Sequence, residues 1–151
     1  MKNLRKLAAI LIALMLVIQC LPATAAAAAT VESGKCGDNL TWKLDEAGTL
    51  TISGSGTMED FSDREAPWYD MPVKKIVVQS GVTSIGNCAF ADLPDLTSIS
   101  LPSSLKSLGS RAIYNTGITQ ITLPKSVRSI GREAFARNFA LQSINIPNGS
   151  K

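Results

Sequence analysis

The stretch GVTSIGNCAFADLPDLTSISLP, residues 81–102, decides the fold, because two later stretches repeat its pattern. These are SLKSLGSRAIYNTGITQITLP at residues 104–124 and SVRSIGREAFARNFALQSINIP at residues 126–147. A glycine recurs in each, at Gly86, Gly109 and Gly131, and an alanine with an apolar neighbour follows three positions later. A partial copy precedes them around residues 76–78. Matches at so many positions indicate an internal repeat, which is typical of a solenoid.

Each unit closes on a pattern of the form L-x-x-I-x-L-P, as in residues 96–102. Alternate apolar residues place their side chains on one side of a short strand, and the proline ends it because it has no N–H to donate. We expect Val82 and Ile85 to start the return side of the coil, and the Ala–Phe pair to fill its interior. Gly86 and its counterparts lie at a turn where a Cβ would be unwelcome. One coil cannot bury its apolar side alone, so the coils stack.

These units resemble the bacterial leucine-rich repeats of the BspA-like (Treponema pallidum-type) class, whose pattern is close to L-x-x-I-x-I-P-x-x-V-x-x-I-G-x-x-A-F. The resemblance covers residues 73–151 and implies a mostly β fold, a short right-handed leucine-rich-repeat solenoid. The middle unit departs from the pattern, because Ile113 replaces Phe and one residue is missing around residues 115–117. This departure predicts a locally tighter coil.

Residues 30–72 lack the repeat and are assigned to an N-terminal cap. Alternating segments at residues 39–44 and 49–53, joined through residues 45–48, predict a β-hairpin. Residues 60–71 predict a short helical turn. A solenoid needs a cap to cover the apolar edge of its first coil. No matching cap follows the repeats, so we interpret the repeat region as truncated at its C-terminal end.

Residues 1–29 predict a secretory signal peptide. Three basic residues precede an apolar run at residues 7–18, and small residues follow. The run is shorter than the ~20 residues that span a bilayer. We expect cleavage after Ala25, Ala27 or Ala29. The predicted location is therefore secreted or cell surface, with membrane contact only during export.

Composition narrows the possible chemistry. The chain has 15 basic and 12 acidic residues, and three of the bases lie in the signal peptide, so the mature part carries 12 of each and no net charge. No Lys/Arg cluster is visible in the mature sequence, so we expect no nucleic-acid partner. The absence of histidine excludes Ser-His-Asp and Cys-His catalysis and most zinc sites. We therefore predict no enzyme activity, no cofactor and no metal.

Three other features each allow two interpretations. Cys36 and Cys88 either pair in an exported chain or serve as small apolar residues. Trp68 and Tyr69 either stack on a sugar or, as we favour, cover the edge of the repeat array. An acidic cluster suggests a calcium site or a glycosidase carboxylate pair, but a solvated loop is favoured. The cluster comprises Glu59, Asp60, Asp63, Glu65 and Asp70.

The best-motivated candidate surface lies on the repeat strands. Residues between the buried positions point outward, so stacked coils would present a row of mostly small, uncharged hydrogen-bonding groups. We call this row the strand ladder. Its members are Lys75, Thr97, Ser98, Ser100, Thr119, Gln120, Thr122, Gln142, Ser143 and Asn145. The alternative is a face that only keeps the sheet hydrated, since no aromatic or arginine anchor projects from it.

The resemblance to the BspA-like class implies adhesion, or interaction with host and microbial surfaces. The function predicted on this basis is a secreted or cell-surface binding module, adhesin-like, for protein or glycan partners. The alternative is a non-catalytic accessory module of a larger surface enzyme.

Overall fold

The computed structural model describes residues 30–146. The signal-peptide prediction, and the end of the repeat region at residues 147–151, lie outside these described residues. The described part contains eleven strands and no helix, and therefore none long and apolar enough to cross a membrane. The strands are β1 (Thr30–Gly37), β2 (Leu40–Asp45), β3 (Thr49–Gly54), β4 (Gly56–Thr57), β5 (Lys75–Val78), β6 (Val82–Ile85), β7 (Ser98–Ser100), β8 (Ser107–Leu108), β9 (Gln120–Thr122), β10 (Ser129–Ile130) and β11 (Ser143–Asn145).

The strands form a solenoid of about four turns that begins in an antiparallel sheet. One sheet has the order β1-β2-β3-β5-β7, in which β1, β2 and β3 are antiparallel while β5 and β7 add in parallel. A second, parallel sheet has the order β10-β8-β6-β4, and β9 pairs in parallel with β11. The prediction of a mostly β leucine-rich-repeat solenoid with an N-terminal β cap is confirmed.

The predicted hairpin of the cap is present as β2 and β3. Its turn is closed by the Gly48 N–H, which donates to Asp45 O at 3.0 Å, and Gly48 takes a left-handed φ of 81°. The sequence did not predict β1, because residues 30–37 show no apolar alternation. Residues 60–71 form separate turns, such as the 2.9 Å bond from Tyr69 N–H to Ala66 O, and no helix.

Each coil also carries a second strand that the sequence did not predict. In the first coil this strand is β6, where Val82 and Ile85 are buried and the two residues between them are half-buried. A spacing of three does not fit the period-two alternation of a half-buried strand. The pattern therefore predicted only the return side of the coil, not its β structure.

The interior is filled as the repeat predicts. Ala89 and Phe90 are fully buried, and Ala112 and Ile113 occupy the same positions one coil later with no exposed surface. These columns continue from coil to coil and form one apolar core.

Trp68 closes the first coil from the cap side. Its indole is fully buried, its Nε1–H donates to Ala89 O at 2.8 Å, and its ring lies 5.9 Å from Phe90 and 5.7 Å from Trp42. The interpretation of this tryptophan as an edge cover is confirmed, and its burial leaves no face free to stack on a sugar.

The turns between strands use left-handed backbone at residues other than glycine. The repeat positions with positive φ are Cys88, Arg111 and Glu133, and then Asp92, Asn115 and Arg137. Such conformations cost about 1–2 kcal/mol each. Hydrogen bonds between coils offset this cost: Cys88 N–H donates to Ser110 O at 3.0 Å, and Arg111 N–H to Arg132 O at 2.9 Å.

A column of glycines, Gly86, Gly109 and Gly131, sets how closely the coils approach. A Cβ on Gly109 would lie 2.6 Å from both Asn87 N and Gly86 C in the preceding coil. Gly86 and Gly131 face preceding backbone in the same way. The expectation that a Cβ is unwelcome is confirmed, and the reason is close contact between coils.

The substitution Gly109→Ala tests this contact. We expect it to lower the free energy of unfolding by about 3 kcal/mol or more, because backbone must move to admit the methyl group. Gly56→Ala is the control, because its Cβ would meet no atom within 4 Å. We expect its free energy of unfolding to fall by only about 1–2 kcal/mol, which is the strain of a side chain at positive φ. Equal losses in urea unfolding would contradict the stacking role of Gly109.

Candidate functional site

Every member of the strand ladder is exposed. The members lie on β5, β7, β9 and β11 or directly before these strands. Lys75 is in register with Ser98, while Gln120 and Thr122 are in register with Ser143 and Asn145. The structure thus brings the ladder together on one side of the coils, and its role in binding stays a prediction.

The ladder is interrupted between β7 and β9. In the part of the chain that the structure describes, no backbone hydrogen bond joins these two strands. Thr97 N–H donates to Lys74 O at 3.0 Å and Gln142 N–H to Thr119 O at 2.8 Å, but the step between Thr97 and Thr119 has no counterpart. Two strand edges therefore face each other without pairing.

The interruption coincides with the shortened middle unit. The step from Ser98 to Gln120 is one position shorter than the steps that join paired residues of β5 and β7, or of β9 and β11. The missing residue falls in residues 115–117, which lead into β9. On the other side of the coils β8 and β10 remain paired, with Ser107 opposite Ser129. The shortening predicted a tighter coil, and at this unit the structure has a break in one sheet.

A groove of about 500 Å³ occupies the break, and we call it the ladder groove. Ile99 and Leu101 in its floor are half-buried, although Ile76 and Val78 at the same positions of the preceding coil are buried. Its polar lining comes from ladder residues. These are Thr97, Ser98, Ser100, Thr119, Gln120 and Thr122.

The width of the ladder groove restricts what fits. Cα atoms of β7 and β9 approach within 8 Å. Inserting another strand requires two strand spacings, about 9.6 Å. The groove is therefore too narrow for an added peptide strand but accepts water or hydroxyl groups.

A buried polar pair holds the short loop beside the groove. Thr116 donates from both its N–H and its Oγ1 to Asn138 Oδ1 at 2.7 Å, and Asn138 Nδ2 donates to Ile113 O at 2.7 Å and Phe135 O at 2.9 Å. Both side chains are buried, and each polar atom has a partner. The loop that precedes β9 is thus tied to the next coil, which keeps the wall of the groove in place. This pair was not predicted from the sequence, although Thr116 and Asn138 are polar residues at the repeat position that Leu93 fills in the first unit.

The acidic cluster of the cap does not converge on a metal site. Within residues 30–146, no three His, Cys, Asp or Glu side chains are placed to hold an ion. Asp60 Oδ1 accepts the Asn87 N–H at 2.7 Å and so joins the cap to the first coil. Tyr69 and Asp70 line a separate hollow of about 390 Å³ with Asp92 and Asp95.

Arg111, Arg132 and Arg137 come together on the turns of the last two coils, and we call them the arginine cluster. Glu133 Oε2 accepts from Arg111 Nε at 2.8 Å, and Glu133 Oε1 lies 3.3 Å from Arg132 Nε. The hydrogen bond and the charge of Arg111 lower the pKa of Glu133, and the same contact raises the pKa of the guanidinium. The cluster is not visible in the sequence of residues 30–146, because stacking assembles it from two repeats.

Cys36 and Cys88 are free thiols, so the structure does not pair them. Cys36 is fully buried, and burial, followed by the charge of Glu59, raises the pKa of its thiol to about 12. Cys88 is half-buried, and its pKa is also raised, by burial first and then by Asp63. The interpretation as a small apolar residue fits Cys36 in full and Cys88 in part.

Repeats that each combine an apolar strand, a glycine contact and an interior pair of alanine with phenylalanine or isoleucine are typical of a leucine-rich-repeat protein. Residues 65–151 match the family described as BspA type leucine-rich repeat region (6 copies). The chain belongs to this family. No curated protein matches its sequence at a significant level.

Solved structures share the fold. A leucine-rich repeat protein from Eubacterium ventriosum ATCC 27560 is 22% identical, with a TM-score of 0.53 over 80% of this chain and 45% of that one. One from Bacteroides capillosus ATCC 29799 is 19% identical, with a TM-score of 0.50 over 77% and 99%. A leucine-rich cell surface protein from Faecalibacterium prausnitzii A2-165 is 18% identical, with a TM-score of 0.49 over 82% and 56%. The chain spans about half the length of the Eubacterium and Faecalibacterium proteins.

The two thiols should differ in reactivity at pH 8. We expect Cys88 to be alkylated in the folded protein and Cys36 to stay unmodified, since it is buried and only about one in 10,000 of its thiols would be ionised. Peptide mass mapping after iodoacetamide treatment measures both sites, with a urea-unfolded sample as the control. Alkylation of Cys36 at the same rate as Cys88 in the folded chain would contradict the structure.

Restoring the missing residue should close the ladder groove. One Asp inserted between Gly117 and Ile118 makes every step on this side of the coils equal in length, so we expect β7 and β9 to pair. Hydrogen exchange should then slow at amides of residues 98–101 and 119–122.

The reciprocal variant deletes Asp95, which shortens the first coil and leaves the middle unit unchanged. It should accelerate amide exchange in β5 and β7, whose pairing needs the longer step. If the insertion leaves exchange at β7 and β9 unchanged, coil length is not the cause of the break.

Proposed function

We propose that this chain is an exported, adhesin-like binding module that holds a glycan along the strand ladder, with the ladder groove as its centre. The observation that carries the proposal is the break between β7 and β9. Export rests on the signal peptide predicted from residues 1–29, and surface adhesion on the resemblance to the BspA-like class.

The chemistry of the groove favours a ligand rich in hydroxyl groups. Backbone N–H and C=O groups at an unpaired strand edge need partners from outside the sheet. A sugar hydroxyl both donates and accepts, so it can serve either kind of group. The hydroxyl and amide side chains that line the groove extend the same chemistry along the face.

The dimensions of the groove favour a glycan over an extended peptide. A peptide that binds by strand addition pairs its backbone with an open sheet edge. The strands β7 and β9 lie too close together to admit one between them. Single hydroxyl groups have no such width requirement.

The double substitution Gln120→Ala with Gln142→Ala tests the ladder. Binding would first be located on a microarray of neutral oligosaccharides and then measured by titration calorimetry. We expect affinity to fall about tenfold or more, because each lost hydrogen bond contributes on the order of 1 kcal/mol. Thr41→Ala with Gln79→Ala, which removes two exposed polar side chains outside the ladder, should leave affinity unchanged.

The Asp insertion after Gly117 gives an independent measurement. It closes the groove but keeps every ladder side chain, so binding should be lost although Gln120 and Gln142 remain. Full affinity in this variant, or in the double glutamine variant, would show that the strand ladder is not the binding site.

A further inference from the structure

The neutral net charge of the mature chain hides a separation of charge along the solenoid. Residues 30–103 contain five basic and eleven acidic side chains, a formal charge of −6, whereas residues 104–146 contain six basic side chains and one acidic, a formal charge of +5. The coils stack in chain order, so the cap and first coil are acidic and the last two coils are basic. Such a field attracts an anionic partner to one end of the solenoid.

The arginine cluster concentrates this charge. Glu133 pairs with both Arg111 and Arg132, and the centroid of the Tyr114 ring lies 5.2 Å from Arg111 Cζ and 5.7 Å from Arg137 Cζ. The two ion pairs join Arg111 and Arg132 to the Glu133 carboxylate, and cation–π contacts join Arg111 and Arg137 to Tyr114. The three arginines and Glu133 together carry a formal charge of +2.

The terminal guanidinium nitrogens of the arginine cluster are available to a ligand. Both ion pairs of Glu133 use the Nε atoms, and no hydrogen bond among residues 30–146 engages the Nη atoms of Arg111, Arg132 or Arg137. The Arg132 side chain is 88% exposed. Terminal guanidinium nitrogens form a planar fork that matches sulfate, phosphate and carboxylate oxygens in a bidentate manner.

A hollow of about 370 Å³ lies beside two of the three arginines; its lining residues are Asn87, Cys88, Ser110, Arg111, Arg132 and Glu133. It shares no lining residue with the ladder groove. Asp63 acts on Arg111 through its charge from the cap side. A continuous phosphate backbone running along the coils would reach the acidic end and be repelled by it. Separate anionic groups on a sugar chain can bind the arginines without reaching that end.

We propose that the arginine cluster binds the anionic groups of an acidic glycan, as a second site distinct from the strand ladder. This site does not depend on the ladder groove, and it carries no base-reading or catalytic element. Dissolved ions screen the attraction between exposed charges, and at 0.1 M salt the screening length is about 10 Å. Binding should therefore weaken as the salt concentration rises.

The experiment compares dextran sulfate with unmodified dextran as probes, using calorimetry on the mature chain at two salt concentrations. Dextran sulfate should bind, more weakly at high salt, and dextran should not bind the cluster. The double substitution Arg132→Gln with Arg137→Gln should weaken binding roughly fivefold to tenfold, as expected for two exposed charge contacts.

The matched control is Lys35→Gln with Lys43→Gln. It removes the same charge from two exposed residues at the acidic end, so it should leave dextran sulfate binding unchanged. Unaltered thermal unfolding of both double variants shows that the fold is intact. The ladder variant Gln120→Ala with Gln142→Ala should also bind normally, which separates this site from the proposed function.

Three outcomes would overturn the proposal. The first is that dextran sulfate does not bind. The second is that the two charge variants weaken its binding equally, which would mean that net charge alone is responsible. The third is that duplex DNA displaces dextran sulfate as effectively as unlabelled dextran sulfate does at equal charge concentration. This result would mean that the surface binds any polyanion.

Discussion

Backbone-to-backbone contact between successive coils is the constraint on which the rest of the structure depends. Phe90 N–H donates to Ala112 O at 2.9 Å and Gly109 N–H to Ile85 O at 2.8 Å, so each coil satisfies groups of its neighbour. Such bonds require coils close enough that a Cβ has no room at Gly109. The left-handed turns, the buried Ala–Phe columns and the ion pair between Arg111 and Glu133 all depend on this spacing.

Because each coil touches only its neighbours, a change in coil length has a local effect. The strands β7 and β9 are unpaired at the middle unit, which is one residue shorter, while β8 and β10 continue their sheet. The buried contacts between Thr116 and Asn138 keep the short loop attached to the next coil. The structure therefore tolerates an open strand edge within a continuous core, and this edge is where the ladder face becomes concave.

The same stacking places two different chemistries on two surfaces. Neutral hydroxyl and amide groups line the strand side, and guanidinium groups gather on the turns of the last two coils. Arg111 and Arg132 belong to different repeats of the chain but share Glu133. A repeat period thus turns residues that are distant in sequence into neighbours in space, and one stack of coils carries two chemically different surfaces.

Most of the fold could be predicted from the sequence, because the repeat period, the apolar columns and the glycines are local patterns with a direct steric meaning. The Ala–Phe interior and the exposure of the ladder residues followed from them, and the hairpin followed from the alternation in residues 39–44 and 49–53. Strand β1 and the second strand of each coil did not, since residues 30–37 lack alternation and Val82 and Ile85 are three apart. The break between β7 and β9 and the arginine cluster were decided only by the tertiary structure. Pairing depends on the register of two coils at once, and charge clustering depends on which side chains the stack brings together.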